Sequence, residues 1–451
     1  MNNLKKLKLL VASALLSSTA VYADDCSNTS ATNCGITISG NQTIDIDSSI
    51  STTDEKGINI INGSNTLTID GNITTTTGTA NAAMGIRISN VNAVNNVINM
   101  TGDIETITNG SATNAHGIAV SSSASNNTVN ITGNISTSGN FLSGILINAS
   151  ADNNNVTLTG DINITGATNA YGVRILGTDA DNLSSDNVIT VNGNINTVSN
   201  GIFAGDFVTD NNIVVNGNVQ SSGDSAIRVS GVGATNNVIV VNGNLTTTAT
   251  SGSPTIQIFN QATDNLIIID GNVTQLANQA AVHFGSAVDT TAHDNTISIT
   301  GQITSAQDGI VFTRSDHNEV FVSGGIDAVR NAISAGATSD NNTVYLDRNA
   351  RIEGAIVNNG TNNTLIFTGW DPIEPEDIDG DGDVDVIDDI EFDELSSGQS
   401  QYGLATSANY TVSGTTPWVV QANVEQPVLV SNTYIKTMGV ANIDDEGNRL
   451  Y

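Results

Sequence analysis

One stretch recurs along most of this chain, and it limits what the chain can fold into more than any other feature. Its cleanest copy is NNTVNITGNI, Asn126 to Ile135. Related copies are NNVINMTGDI (Asn95 to Ile104), DNVITVNGNI (Asp186 to Ile195), NNVIVVNGNL (Asn236 to Leu245), DNLIIIDGNV (Asp264 to Val273) and DNTISITGQI (Asp294 to Ile303). Each is an Asn pair or Asp-Asn, an alternating apolar run, a Gly, usually an Asn or Asp, and another apolar residue. The glycines fall at 71, 102, 133, 160, 193, 217, 243, 271, 301, 324 and 369, mostly 23 to 33 residues apart. Self-similarity at such a period marks a repeat architecture, in which each unit buries its apolar side against its neighbours.

A second motif alternates with the first: a Gly (or a substitute) followed by apolar-x-apolar. It reads GIRI at Gly85, GIAV at Gly117, GILI at Gly144, GVRI at Gly172, AIRV at Ala226, TIQI at Thr255, AVHF at Ala281 and GIVF at Gly309. Each repeat therefore carries three short strands: the alternating strand, a brief strand just past the Gly-Asn, and this third strand. Runs of three to five residues punctuated by Gly, Asn and Asp are too short for helices. Three strands per repeat of this length give an all-β fold, a parallel β-helix solenoid of about eleven to twelve coils over residues 24–370.

Period-two alternation assigns the faces. Val129, Ile131 and Ile135 are expected inside, Asn130 and Thr132 outside. Ile145 and Ile147 are expected inside and Leu146 outside. Stacking puts like over like, so the positions equivalent to Val129 form one apolar column. The Asn before each strand forms another, because Asn tolerates left-handed backbone angles and its amide can bond its equivalent one coil away. The Gly after the strand supplies the next bend.

With its Asn/Thr/Gly-rich coils, few charges and a leader sequence, the chain resembles the right-handed β-helix of bacterial secreted proteins, particularly autotransporter passengers and related adhesins, over about residues 35–370. That resemblance implies an exported, extracellular or cell-surface protein associated with the outer membrane. It implies a cell-surface or glycan ligand and, as a further role, self-association. The leader is residues 1–23: Lys5, Lys6 and Lys8, then an apolar LLVASALL, then Val21-Tyr22-Ala23 as a cleavage site. The apolar run is shorter than the ~20 residues of a spanning helix, and no other segment could span a membrane as a helix. Cys26 and Cys34, in an exported chain, suit a small disulfide loop at the mature N-terminus.

The formal net charge is −32, and removing three lysines with the leader makes it −35 (−32 − 3). So acidic a chain repels nucleic acid and suits cations.

The same coil is shared by pectin-lyase-like enzymes, which hold carboxylates, calcium and a basic residue on one face, so a polysaccharide lyase or glycoside hydrolase is the alternative. Glycoside hydrolysis wants two carboxylates at a defined separation. Asp103 and Asp161 follow the Gly in their repeats, where other repeats carry Asn, and so read as turn residues. Arg87, Arg174 and Arg228 take the outward x of the third strand, in one column with Ala119, Leu146, Phe203, Gln257, His283 and Val311. An active site breaks a repeat locally, and these residues keep its rhythm. The column reads as a solvated face or, through Leu146, Phe203 and Val311, as an apolar docking strip. His116, His283, His293 and His317 lie in separate strands or loops without metal-ligand spacing, and read as turn or surface residues.

After Trp370 the composition shifts. Between Asp371 and Glu394 stand thirteen acids and no basic residue. Within this stretch, DIDGDGDVDVID matches the twelve-residue calcium loop: Asp377, Asp379 and Asp381 at positions 1, 3 and 5, Gly382 at the sharp turn, Asp383 offering its carbonyl, Asp385 at 9 and Asp388 closing at 12. It resembles the loop of dockerin repeats, although those carry two loops and only one is found here. Residues 371–395 are therefore expected to bind Ca²⁺, and a calcium-dependent assembly module is a third reading. Residues 396–451 carry short strand-like runs and read as a small C-terminal β cap over the open end of the coil, or a linker region.

Overall fold

The computed structural model describes residues 21–23, 35–77, 84–108, 115–139, 141–166, 169–249, 252–285, 291–347, 350–368, 412–416, 419–422, 428–429, 442–443 and 449–450. Every regular element among them is a strand. The chain divides into two compact units, residues 1–217 and 218–451, and each is a parallel β-helix.

In the first unit the alternating strands include Thr66–Asp70, Val97–Thr101, Thr128–Thr132, Asn155–Thr159 and Val188–Asn192. They pair in parallel, residue for residue: Val129 faces Ile98 on one side and Val156 on the other. The brief strands (Ile73–Thr77, Ile104–Thr108, Ile135–Gly139) and the third strands (Ile86–Ser89, His116–Ser121, Leu142–Asn148, Ala170–Leu176) stack in the same way. Val129, Ile131 and Ile135 are buried, as are Ile145 and Ile147, while Thr132 is exposed. The inward side chains are mostly short and β-branched and keep the same placement from coil to coil, so stacking fills the interior without helices. At the start of the unit, Val21–Ala23 pairs antiparallel with Ile36–Ser39.

The Asn pair divides its labour. Its first member takes the left-handed conformation: Asn95, Asn126, Asn153 and Asp186 have φ of 55 to 56°. Its second member is buried and builds a ladder. Asn65 Nδ2 donates to Asn96 Oδ1 at 2.7 Å, Asn96 to Asn127 at 2.7 Å, Asn127 to Asn154 at 2.9 Å, Asn154 to Asn187 at 3.0 Å and Asn187 to Asn211 at 2.9 Å. The backbone N–H of each donates to the same oxygen, so both donors of each rung are paired at this buried corner.

A second ladder runs along the corner after the glycine, with the opposite polarity. Here the amide or carboxylate of one coil accepts the backbone N–H of the next: Asp103 N–H to Asn72, Asn134 to Asp103, Asp161 to Asn134 and Asn194 to Asp161, at 2.7 to 2.9 Å. The glycine itself is fixed by close approach. A Cβ on Gly133 (φ 153°) would overlap the carbonyl oxygen of Gly102 one coil below.

The inner position two beyond the brief strand's first Ile carries Thr75, Thr106 and Thr137, in register and buried. Apolar alternation does not predict hydroxyls inside the coil. Equivalent residues show one use of them: Thr52 Oγ1 donates to the Glu55 carbonyl at 2.9 Å, and Thr197 Oγ1 to the Ala170 carbonyl at 3.2 Å, each tying the strand to a neighbouring stretch of backbone.

The second unit repeats this plan. Its Asn ladder runs Asn237, Asn265, Asn295, Asn318, Asn342, Asn363 at 2.9 to 3.1 Å. Its alternating strands differ. Val238–Val241 and Leu266–Ile269 are apolar at every position and buried at every position, the outward Val240 and Ile268 included. Continuous apolar runs are what parallel strands carry when both faces are covered. Past the acidic stretch the coil pattern resumes. Val412–Gly414 pairs in parallel with Arg351–Asn358, and Val419–Ala422 with Thr364–Thr368. Val428–Leu429 then pairs antiparallel with Val419–Ala422.

Candidate functional site

In the first unit the corner ladder borders an open groove of about 390 Å³. Its floor is built by the ladder residues Asn72, Asp103, Asn134 and Asp161, its wall by the outward side chains of the brief strands, Thr74, Glu105, Ser136 and Asn163. These four wall residues stand directly over one another because the brief strands pair without a shift. The lining contains three carboxylates, those of Asp103, Glu105 and Asp161, and no basic side chain. Two of the three are structural: Asp103 Oδ1 accepts the Asn134 N–H at 2.7 Å and Asp161 Oδ1 the Asn194 N–H at 2.7 Å. This is the turn role that their place in the repeat indicates.

The outward column of the third strand keeps register: Arg87, Ala119, Leu146, Arg174 and Phe203 in the first unit, and Arg228, Gln257, His283 and Val311 in the second. The expectation of exposed apolar area there is corrected. Leu146 is 5% exposed and Ala119 1%, because both pack with Met84 on the outside of the coil. Phe203 is half-buried: it stacks on Tyr171 (centroids 5.3 Å apart), and the Arg174 guanidinium lies 4.5 Å from the Tyr171 ring and 5.9 Å from that of Phe203. Val311 is half-buried too. Burial lowers the pKa of Arg174, and the neighbouring Tyr171 acts in the opposite sense.

His116 departs from the expected turn or surface role. It is 3% exposed, in register with Ser143 and, one coil further, Tyr171. Burial, with the Arg174 charge adding to it, depresses its pKa to about 3, so the imidazole is neutral at ordinary pH. His283 is depressed to about 4, by burial against an opposing effect of Asp308, and its Nε2 lies 3.2 Å from Thr313 Oγ1. His293 sits 2.7 Å from Asp294, and His317 holds a left-handed turn (φ 55°).

Two arrangements in the second unit are not announced by the repeat. Asp308, 4% exposed, is bound by the Arg330 guanidinium through Nε at 2.8 Å and through a terminal nitrogen. It also accepts from the Asn331 backbone N–H and side-chain amide. The long strand Gly325–Ala335, with its register shifts, brings Arg330 there, a break in the repeat with no periodic signal. On the outward side of the alternating strands, Phe321 and Tyr345 stack at 4.2 Å, and the Tyr345 hydroxyl donates to Glu319 at 3.0 Å. Burial raises the pKa of both Glu319 and Tyr345.

The calcium-loop residues Asp377, Asp379, Asp381, Asp383, Asp385 and Asp388 lie outside the described residues, as do Cys26, Cys34 and the leader up to Ala20. Among the described residues no three His, Cys, Asp or Glu side chains gather as a metal site, and no helix is long and apolar enough to cross a membrane. No family model, no curated protein and no solved structure matches the chain.

Proposed function

We propose that this chain is an exported, surface-displayed β-helix that works by adhesion or structural display, through repeated weak contacts along its outward columns. The observation that carries this reading is the fate of its carboxylates. Asp103 and Asp161, the acids best placed to serve a cleft, are engaged as hydrogen-bond acceptors in the corner ladder. Outward positions stand in register from coil to coil, and some, such as Thr101, Thr132 and Thr159, repeat the same side chain; a repeated array gains strength by multivalency. Ca²⁺ held by Asp377 to Asp388 belongs to the same reading, as the ion that orders the acidic stretch between two coil elements. The test is binding of the purified chain to bacterial and host cell surfaces and to a glycan array, with calcium and with chelator. Retention on none of these surfaces in either condition would refute the adhesive role.

A second reading rests on the groove itself. Asp103, Glu105 and Asp161 share one open, polar channel, and a polysaccharide hydrolase or lyase on this coil would use such carboxylates. Release of reducing or unsaturated ends from acidic and neutral polysaccharides, abolished by Glu105→Gln, would favour it over display.

A further inference from the structure

The outward face of the alternating sheet in the first unit has a regularity that the fold does not require. From Val97 to Asn192 four alternating strands pair without a bulge, and their outward positions form three straight columns. One column is Asn99, Asn130, Thr157 and another is Thr101, Thr132, Thr159, with Thr190 and Asn192 continuing them. Neighbours along a column are about 4.8 Å apart and alternate residues along a strand about 6.6 Å. Within the grid Asn130 Nδ2 donates to Asn99 Oδ1 at 3.0 Å, while Thr101, Thr132 and Thr159 stand exposed. No outward position of these four strands is charged, in a chain of net charge −32. In the second unit the equivalent positions are Val240, Ile268, Ser298, Phe321 and Tyr345, all buried and mostly apolar, so the coil tolerates other chemistry there.

Resting on the adhesive reading, we infer that this face binds the flat crystalline surface of a neutral, insoluble polysaccharide. Three features fit that occupant. Over these four strands the face is uncharged, the nearest outward carboxylate being Asp70 one coil beyond Thr101, so the grid itself offers no group for an ionic partner. Its hydroxyls sit on β-branched side chains fixed to a paired sheet, which spares the entropy of ordering them on contact. It has neither an aromatic platform nor a groove for gripping a single flexible chain, so its contacts add up only against a partner that is itself periodic and rigid. Thr methyls and the flanking Val97 and Val188 would meet sugar C–H faces, while hydroxyls and amides meet sugar hydroxyls.

The full chain is mixed with microcrystalline cellulose and with crystalline chitin, and depletion from solution is measured. The expected result is depletion by at least one of them that changes less than about twofold between about 0.05 and 1 M salt, because no ion pair is involved. A Thr101→Val/Thr132→Val/Thr159→Val variant, which keeps shape and β propensity, should bind at least tenfold more weakly. A Thr132→Tyr/Thr157→Tyr variant, which breaks flatness, should also lose binding; circular dichroism and melting verify that each variant is folded. A wild-type chain that neither solid depletes overturns the inference, as do folded variants that bind like wild type, binding reversed by salt, or full competition by soluble oligosaccharides. Shaping of ice crystals without particle binding would overturn it in favour of an ordered-water partner. Cell-surface adhesion that survives in both variants, with no particle binding by wild type, would leave the adhesive reading standing and remove only this face from it.

Discussion

Asn127 Nδ2 lies 2.9 Å from Asn154 Oδ1, one coil along, and Asn154 Nδ2 lies 3.0 Å from Asn187 Oδ1 in the coil after that. Asn154 Oδ1 also accepts the Asn127 backbone N–H at 3.1 Å. Removing this side chain therefore strips the acceptor from that buried N–H, and takes one partner each from Asn127 Nδ2 and Asn187 Oδ1. Asn154→Ala is expected to cost about 2–4 kcal/mol, because an unsatisfied buried donor costs about 1–3 kcal/mol and the weakened neighbours add to it. Chemical denaturation of the variant against wild type measures it. Thr132→Ser, at an exposed position, is the control and should fall within about 0.5 kcal/mol.

Gly133→Ala should be among the most damaging single-methyl changes in the chain. The new Cβ would meet the Gly102 carbonyl oxygen at φ 153°, and both the backbone and the coil below would have to move. A loss of about 2 kcal/mol or more is expected from strain alone. Thermal unfolding reports it, with Ser136→Ala in the neighbouring brief strand as the mild comparison.

Acid should loosen the first unit through His116. Its folded pKa, about 3, is below the unfolded value of 6.5. The unfolded chain binds the proton first as pH falls, so the contribution is fully present above about pH 6.5 and is lost progressively down to about pH 3. The expected loss between pH 7 and 4 is about 1–3 kcal/mol, read as a falling urea midpoint. His116→Gln should flatten that slope even if it lowers stability at pH 7. His283, depressed to about 4, adds a loss of the same sign but smaller total in the second unit, complete by about pH 4.

Calcium should bind the full chain at up to millimolar concentration with one site per chain, seen by calorimetric titration. Asp377→Asn/Asp381→Asn should abolish the heat, and chelated protein should be cut faster by protease between residues 371 and 395. No heat from the wild-type chain at millimolar calcium would refute the proposed loop.

What could be read from residue order was whatever the repeat itself encodes. Val129 and Ile131 announce their burial by alternation, and the Asn pairs announce a turn and a ladder by recurring before the alternating strands. Leu146 could not be placed, because alternation says only that it leaves the coil; Met84 and Ala119, distant in sequence, decide that it is covered. His116 is hidden for a similar reason. The doubly apolar runs VIVV and LIII did carry a signal for two-sided burial at Val240 and Ile268, visible once strict alternation is not assumed. The Asp308–Arg330 pair had none, since it arises where the repeat fails.

The two corner ladders point in opposite senses, and their bonds stay near 3 Å although successive rungs of the Asn ladder in the first unit lie 31, 31, 27, 33 and 24 residues apart. Loop length is thus free while the corner chemistry stays the same from rung to rung. A gene encoding such a chain can gain or drop one whole coil and leave every junction matched, donor to acceptor on one edge and acceptor to donor on the other. Half a coil would set like against like. The number of coils, unlike the length of a loop, is a quantity that can change only in whole steps.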